Sequence, residues 1–448
     1  MASNPVPAGA RCPGPSMQDI IARDGDNPPA ALREERYQFL GDADLPYSRV
    51  TSEAFFQREI DQLWSRVWQW ACREEHVPQP GDYTVYDVGP YSVLIVRGSD
   101  HSLRAFVNSC PHRGMQLCPS GSSGSGKQFL RCPFHGMSWQ LDGRLREIPC
   151  DWDFPHVDPA EFGLDEVHCD TWGGFVFINL DPQAGPLEAY LEVLPEHFKD
   201  WDLAQRYVAQ HTRKVLPANW KTAIEGFLEA YHIIATHPQA LRTAGDANAQ
   251  YDLFGRHVNR FVHAIGYSSP HLKQRPSEAE LFEALGRDPA SLPAGASARA
   301  EHARRLREEL GAQLGVNLSD VSTSEMLDSI EYFLFPNACF FPGVSIPLIY
   351  RFTPLDVDHC VHEILLLHPV PEGGERPPPA EPIDLGIDDD YQTIPDFPLG
   401  FVLDQDTENF RRQRAGIKAS RKGAQTLGNY QEARIRHLHQ TLDEYLAG

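Results

Sequence analysis

The 448-residue sequence has no apolar run that approaches the ~20 residues needed to cross a bilayer. Its opening, MASNPVPAGARCPGP, lacks the apolar stretch of a secretion leader. Both absences point to the cytoplasm. Positive charge is short as well: 40 Lys and Arg against 62 Asp and Glu leave a formal charge of −22. That balance argues against nucleic acid or an anionic membrane as partner, and leaves room only for a local basic patch that meets a redox protein. No G-x-G-x-x-G follows a strand-like segment, so the chain is not expected to bind a nicotinamide or flavin itself. There is no internal repeat, and the single low-complexity tract is SGSSGSG at 120–126. The nine cysteines (12, 72, 110, 118, 132, 150, 169, 339, 360) are odd in number and thinly spread. They do not form a disulfide framework; most are expected to be small buried hydrophobes.

What is present is enough for a sizeable core. The length and a 41% hydrophobic content fit two or three domains, or one large core carrying an inserted module. Residues 1–45 read as an irregular arm. A helix is expected from Ser52 to Trp70, capped by Thr51 or Ser52, with Phe56, Ile60, Leu63, Val67 and Trp64 or Trp68 inward. The period then changes to that of short strands: Tyr83–Tyr86, Val93–Val96, Leu103–Val107, Gln128–Leu130, Ser138–Leu141 (before an Asp142-Gly143 hairpin turn) and Gly174–Leu180. Beyond them, 186–205 reads as helical, 206–216 as extended and 219–235 as helical, and 276–330 as a charged, largely helical insertion. Strand signals return at 330–341, 346–352 and 359–368. A proline-rich loop covers 369–382, and a helix runs from Leu403 to about Leu446.

The stretch NWKTAIEGFLEAYHIIATHP (219–238) gathers unusual chemistry. Ala223, Ile224, Phe227, Leu228 and Tyr231 recur at helical spacing and predict one buried helix. Glu229 and His232 are three apart and share a face. His232 and His237 lie roughly 140° apart on an ideal helix, but Pro238 disfavours helical angles at His237 and lets its ring swing back. Two imidazoles with a nearby carboxylate suit a divalent iron or zinc; helix-end histidines that merely oppose the macrodipole are the plain alternative. Asn219 and Trp220 read as an N-cap and a packed anchor. Phe227, Phe335, Phe340, Phe341 and Ile346 could wall an apolar pocket, though such residues are usually core.

The most specific signal is Cys110-Pro-His112-Arg-Gly114 with Cys132-Pro-Phe-His135-Gly136. Each half offers a thiolate and an imidazole. Four such ligands fit a tetrahedral structural zinc, or a Rieske [2Fe–2S] cluster in which Cys110 and Cys132 hold one iron and His112 and His135 the other. The prolines that stiffen the loops and the glycines that let them turn favour the cluster.

CPHRG…CPFHGMSW, followed by NWK…EGFLEAYH…TH, resembles the α (oxygenase) subunit of Rieske non-haem iron ring-hydroxylating oxygenases, from about residue 50 to 440. The resemblance implies an α+β chain: a β-rich Rieske [2Fe–2S] domain inserted into a helix-grip catalytic domain with an antiparallel sheet. The boundaries are placed at 1–77 (arm and helix, part of the catalytic domain), 78–166 (Rieske) and 167–448 (catalytic). It implies a mononuclear Fe(II) held by His232, His237 and a downstream carboxylate. Asp406, ten residues before Gly416, matches the family's acidic position, and Asp404 competes with it. Glu229 stands where many aromatic dioxygenases of the family carry an Asp that bridges subunits. A Glu there is similar to members acting on quaternary ammonium substrates. The implied activity is that of a terminal oxygenase acting with O₂ on a small, aromatic substrate by hydroxylation or dihydroxylation. Monooxygenation or N- or O-demethylation of a non-aromatic substrate is the alternative. Electrons would come indirectly from NAD(P)H through a ferredoxin, a reductase or both. The assembly implied is a homotrimer, with or without a separate β subunit, in which one chain's cluster serves the next chain's iron across Glu229. A Rieske electron carrier without oxygenase chemistry, or a zinc-stapled binding protein, are the rivals from other classes.

Overall fold

The computed structural model describes residues 14–447. The start of the expected arm, with Cys12, lies outside the described residues. The chain divides into two compact units, Arg58–Tyr190 and a second unit that joins Met1–Gln57 to Leu191–Gly448. Among the described residues the eight cysteines form no disulfide, and no helix is long and apolar enough to cross a membrane.

The unit Arg58–Tyr190 is β-rich. A seven-stranded antiparallel sheet runs in the order Gln69–Arg73, Phe175–Asn179, Glu166–Trp172, Leu103–Val107, Tyr91–Arg97, Tyr83–Val88, Ser123–Gly124. A small sheet of Leu130–Arg131, Ser138–Trp139 and Leu145–Glu147 stands beside it. Its core joins Leu94, Val96 and Phe106 to Leu130 and Trp139. The helix expected to reach Trp70 stops early. Glu53–Glu59 widens into a π-turn at Ile60–Trp64, and Gln69–Arg73 is a strand. All five residues of that strand are buried, so its pairing with Phe175–Asn179 overrides the helical period. Gln69 Nε2 donates to the freed carbonyl of Trp64 at 2.6 Å and closes the helix end.

The larger unit is built on an eight-stranded sheet: Ala244–Phe254, Val258–Ile265, Ser329–Leu334, Ala338–Phe340, Leu348–Pro354, Cys360–Pro369, Arg206–Leu216 and Pro382–Leu385. Only the last pairing is parallel. With helices packed on this sheet, the α+β class expected from the sequence is the one observed. The inserted helices are Glu278–Ala284, Ala298–Leu314 and Thr323–Leu327.

Three departures have physical causes. The arm is not wholly irregular: Ser16 starts the helix Met17–Asp24 with a capping box to Asp19. The strand Ala244–Phe254 escaped sequence reading because all of it is buried, polar residues included. Those polar residues bind the arm, with Asn248 Nδ2 donating to Pro15 O at 2.7 Å and Arg36 N donating to Asp252 Oδ1 at 2.6 Å. The single C-terminal helix is two, Gly400–Ala419 and Ala433–Leu446. Between them Ala424–Gln425 pairs with Leu45–Pro46, after a left-handed turn at Gly423 (φ 70°).

Candidate metal centres

The loops Cys110–Gly114 and Cys132–Gly136 repeat one geometry. Cys110 N donates to Met115 O at 2.8 Å, and Cys132 N to Met137 O at 2.8 Å. Gly114 N and Gly136 N return to the carbonyls of Cys110 and Cys132 at 2.9 and 3.1 Å. Both glycines are left-handed, at φ 74° and 79°, where a side chain would be strained. The thiols are buried, and burial pushes Cys110 up from its ordinary value, opposed by backbone N–H groups of His112 and Arg113 aimed at its sulfur. The neighbouring Cys132 thiol contributes to the same upward shift. The imidazoles of His112 and His135 also pair, with ring centroids 4.8 Å apart. His135 is exposed, and the desolvation it does feel lowers its pKa, helped by His112 and Arg113. The four donors thus form two pairs, thiol with thiol and ring with ring. One zinc would draw all four to a single point; a two-iron cluster asks for two pairs. Cys118 is buried in the same core as the two thiols, but its side chain meets Tyr83.

The 219–238 segment is not one helix. Trp220–Glu225 ends at Gly226, and Ile233–Thr236 is a separate turn. Asn219 caps the first piece by accepting from Lys221 N at 3.1 Å, and Trp220 is fully buried, as expected. The break loses the helical phase, so Tyr231 is 50% exposed rather than buried. Backbone groups freed by the break find side chains: Ala230 N donates to Tyr251 Oη at 3.0 Å, and Arg434 Nη1 donates to Leu228 O at 3.2 Å. Glu229 anchors the turn that carries His232. Its Oε2 accepts from His232 N at 2.9 Å and its Oε1 accepts from His232 Nδ1 at 2.8 Å. The proton is thereby fixed on Nδ1, and Nε2 is left as a free donor atom. Burial pulls the His232 pKa down, but Glu229, Asp406 and Glu331 together hold it above its ordinary value.

His237 leaves helical angles (φ −122°, ψ 55°) before Pro238, and its ring lies 5.2 Å from that of His232. Asp406 Oδ1 sits 2.8 Å from His237 Nε2 and 3.5 Å from His232 Nε2. Among the described residues, these three form the set of His, Cys, Asp and Glu whose donor atoms all lie within 4.8 Å of one another. Asp404 faces elsewhere, accepting from the backbone N–H groups of Tyr391 and Gln392 at 2.8 and 3.1 Å. Two imidazoles and one carboxylate at this separation fit a divalent iron.

Several supporting residues carry no sequence signal. Gln405 Oε1 accepts from His237 Nδ1 at 2.9 Å and so fixes the second imidazole. Arg434 reaches from the terminal helix to Glu331 (2.7 Å), which also accepts from the Tyr350 hydroxyl. Phe227, which the sequence did offer as a pocket wall, packs on Tyr350, Phe352 and Phe410. Phe335, Phe340 and Phe341 are plain core.

The family model of the ring hydroxylating alpha subunit (catalytic domain) matches residues 197–448, and that of the Rieske [2Fe-2S] domain matches 67–157. The carnitine monooxygenase oxygenase subunit of Escherichia coli (strain K12) is 32% identical over 202 residues, 43% of this chain and 52% of that protein. The chlorobenzene dioxygenase subunit alpha of Cupriavidus sp. (strain PS12) is 34% identical over 192 residues, 42% of each. The matched segment thus spans about half the length of such relatives, 52% in the carnitine enzyme. A crystal structure of a quaternary ammonium Rieske monooxygenase with L-carnitine has a TM-score of 0.63 at 19% identity, covering 92% of this chain and 99% of its own. A naphthalene 1,2-dioxygenase gives 0.63 at 19%, covering 92% and 94%. At these identities the likeness speaks for the fold alone.

Proposed function

The chain belongs to the ring-hydroxylating oxygenase α-subunit family, and from that premise we propose that it is the terminal oxygenase of a multicomponent Rieske system. In this reading Cys110 and Cys132 hold one iron of the cluster and His112 and His135 the other. His232, His237 and Asp406 hold the mononuclear Fe(II). When bound, the cluster supplies single electrons and the Fe(II) supplies dioxygen activation. The chain's own residues set the stage. Glu229 and Gln405 keep the protons of His232 and His237 on Nδ1, so both Nε2 atoms face Asp406. Phe227, Tyr350 and Phe352 supply an apolar wall for the substrate. The single observation that carries the proposal is the convergence of His232, His237 and Asp406, since an electron carrier needs no such set.

We take the electron donor to be a ferredoxin, a reductase or both, fed by NAD(P)H in the cytoplasm, and the assembly to be a ring of three. One chain's cluster then meets the next chain's iron at Glu229, a heterologous contact that closes after three copies. Glu229 uses two of its four or so acceptor sites within its own chain. A third donor from a neighbouring histidine fits that remainder.

For the substrate, hydroxylation or dihydroxylation of a small aromatic molecule is supported by the apolar wall. Monooxygenation of a quaternary ammonium compound is the second reading, favoured by Glu229 and by the carnitine and glycine betaine monooxygenases among the relatives. The deciding experiment measures iron and then turnover. About three irons per chain with a Rieske signal supports the oxygenase, and about two supports a carrier. Coupled O₂ consumption, with a surrogate reductase and aromatic and quaternary ammonium panels, assigns the substrate by product mass. A colourless zinc protein overturns the whole reading.

A further inference from the structure

His263 stands on the strand Val258–Ile265, two residues beyond Phe261 and four beyond Asn259. Residues two apart on a strand share a face. On that face Asn259 bonds to Arg434 and His437 of the terminal helix, and Arg434 lies over the Phe261 ring. Phe261 pairs with Tyr251, whose hydroxyl takes the Ala230 N–H of the metal-site segment. Arg260 points the other way, toward Ala31 and Glu34 of the arm. His263 therefore lies on the side of the sheet that carries His232.

The residue is only 8% exposed, and its Nδ1 is buried without any hydrogen-bond partner. An unmet imidazole nitrogen in a core is costly unless something else meets it. His362 offers a contrast. Its Nε2 is also unmet, but its Nδ1 is bonded to the Tyr391 hydroxyl and its ring is stacked on Phe352. That ring is tied down as core; no such bond ties the Nδ1 of His263.

We propose that His263 contacts the substrate, exchanging one hydrogen bond with a hydroxyl or carboxylate oxygen of a small molecule whose apolar part lies beside His232, His237 and Asp406. The location rests on the oxygenase reading of that site. A neutral imidazole donates through one nitrogen and accepts through the other, so it recognises oxygen and is indifferent to a cationic headgroup.

Anaerobic calorimetry on the iron-loaded, full-length protein tests this with toluene, benzyl alcohol and benzoate as probes. The wild type is expected to bind benzyl alcohol, benzoate or both about tenfold more tightly than toluene, the size of one buried hydrogen bond. The two oxygenated probes tell hydroxyl from carboxylate. His263→Phe, or His263→Leu should the first not fold, is expected to erase the preference while holding toluene within about twofold. His263→Gln, which keeps a donor and an acceptor, restores part of it. A preference that survives His263→Phe or His263→Leu overturns the proposal. So does an equal loss for all three probes, or a wild type that prefers no oxygenated probe or binds none. Iron content and the cluster signal are read on the same samples. If they fail in the wild type, the oxygenase reading falls; if they hold while the preference is absent, only the role of His263 falls.

Discussion

The two candidate centres are built on opposite plans. The cluster loops are short and alike, and each contains its own donors, its turn glycine and the hydrogen bonds that shape it, within Cys110–Met115 and Cys132–Met137. The second centre is assembled from segments far apart in sequence. His232 and His237 flank the short turn Ile233–Thr236 that follows a helix break, Asp406 comes from the helix Gly400–Ala419, and the break is held by Tyr251 and Arg434. A local site survives changes elsewhere as long as its loops fold. A composite site depends on every element that delivers a piece.

The sharpest way to break that comparison is to remove donors from each centre in turn. Asp406→Ala or His237→Ala is expected to abolish oxygenation and lower iron from about three to about two per chain, with the cluster signal unchanged. Cys110→Ser or His135→Ala is expected to erase the cluster signal and leave the mononuclear iron. Metal analysis with electron paramagnetic resonance reads both. Loss of the cluster in Asp406→Ala, or full activity retained there with Asp404→Ala dead, contradicts the assignment.

The next effect tests dependence on distant support. Arg434 is fully buried, bonded to Glu331, Asn259 and the Leu228 carbonyl. Burial already raises the Glu331 pKa against the pull of Arg434. Arg434→Met strands that carboxylate and should cost ~3–5 kcal/mol of stability, with Glu331→Gln in the same chain recovering part. Denaturant unfolding measures it. The hydrogen bonds that shape the cluster loops lie within them, so the cluster signal of Arg434→Met protein should persist wherever the protein folds.

These contrasts also explain what was legible in the sequence. The cluster motif could be read outright because its geometry is local: cysteine, proline, histidine and glycine at fixed offsets already describe the loop. His232 and His237 were readable from Pro238, but the helix around them was not. Its break depends on Tyr251 and Arg434, which periodicity cannot see. Spacing could only rank Asp406 above Asp404, because both lie near the start of one helix. What separates them is which faces the imidazoles and which the backbone of Tyr391 and Gln392. The strand Ala244–Phe254 and Gln405 were invisible for a similar reason: their polar side chains are explained by partners hundreds of residues away or on another segment.

A smaller effect is expected at Glu229. Glu229→Gln keeps one carbonyl oxygen for the two donors of His232 and offers an N–H₂ group where an acceptor is needed. Iron affinity or turnover should fall ~10–100-fold, the usual consequence of altering the partner of a ligating histidine. Glu229→Asp should be milder. If the residue also bridges subunits, a fully iron-loaded Glu229→Gln reoxidises a prereduced cluster slowly in a single turnover. Normal reoxidation in that protein leaves Glu229 as an orienting residue alone.

The smallest effect distinguishes the centres by charge. Close to the composite site lies a further carboxylate, Glu432, which accepts from Gly428 N. Burial raises its pKa from 4.5 to about 7, and the nearby charges of Glu229 and Glu225 add to that rise. Between those values the native state binds more protons at this position than the unfolded chain. Stability from this group is therefore fully present below 4.5, declines as pH rises, and is lost above about 7. Glu432→Gln removes the ionisation while its amide oxygen can still accept from Gly428 N. The variant should melt higher than wild type at pH 8 by a few degrees, on the order expected for ~1 kcal/mol, and gain little at pH 5. Calorimetric melting at the two pH values decides it. An equal gain at both, or a loss at pH 8, would show that the carboxylate is not under the strain that burial and its acidic neighbours imply.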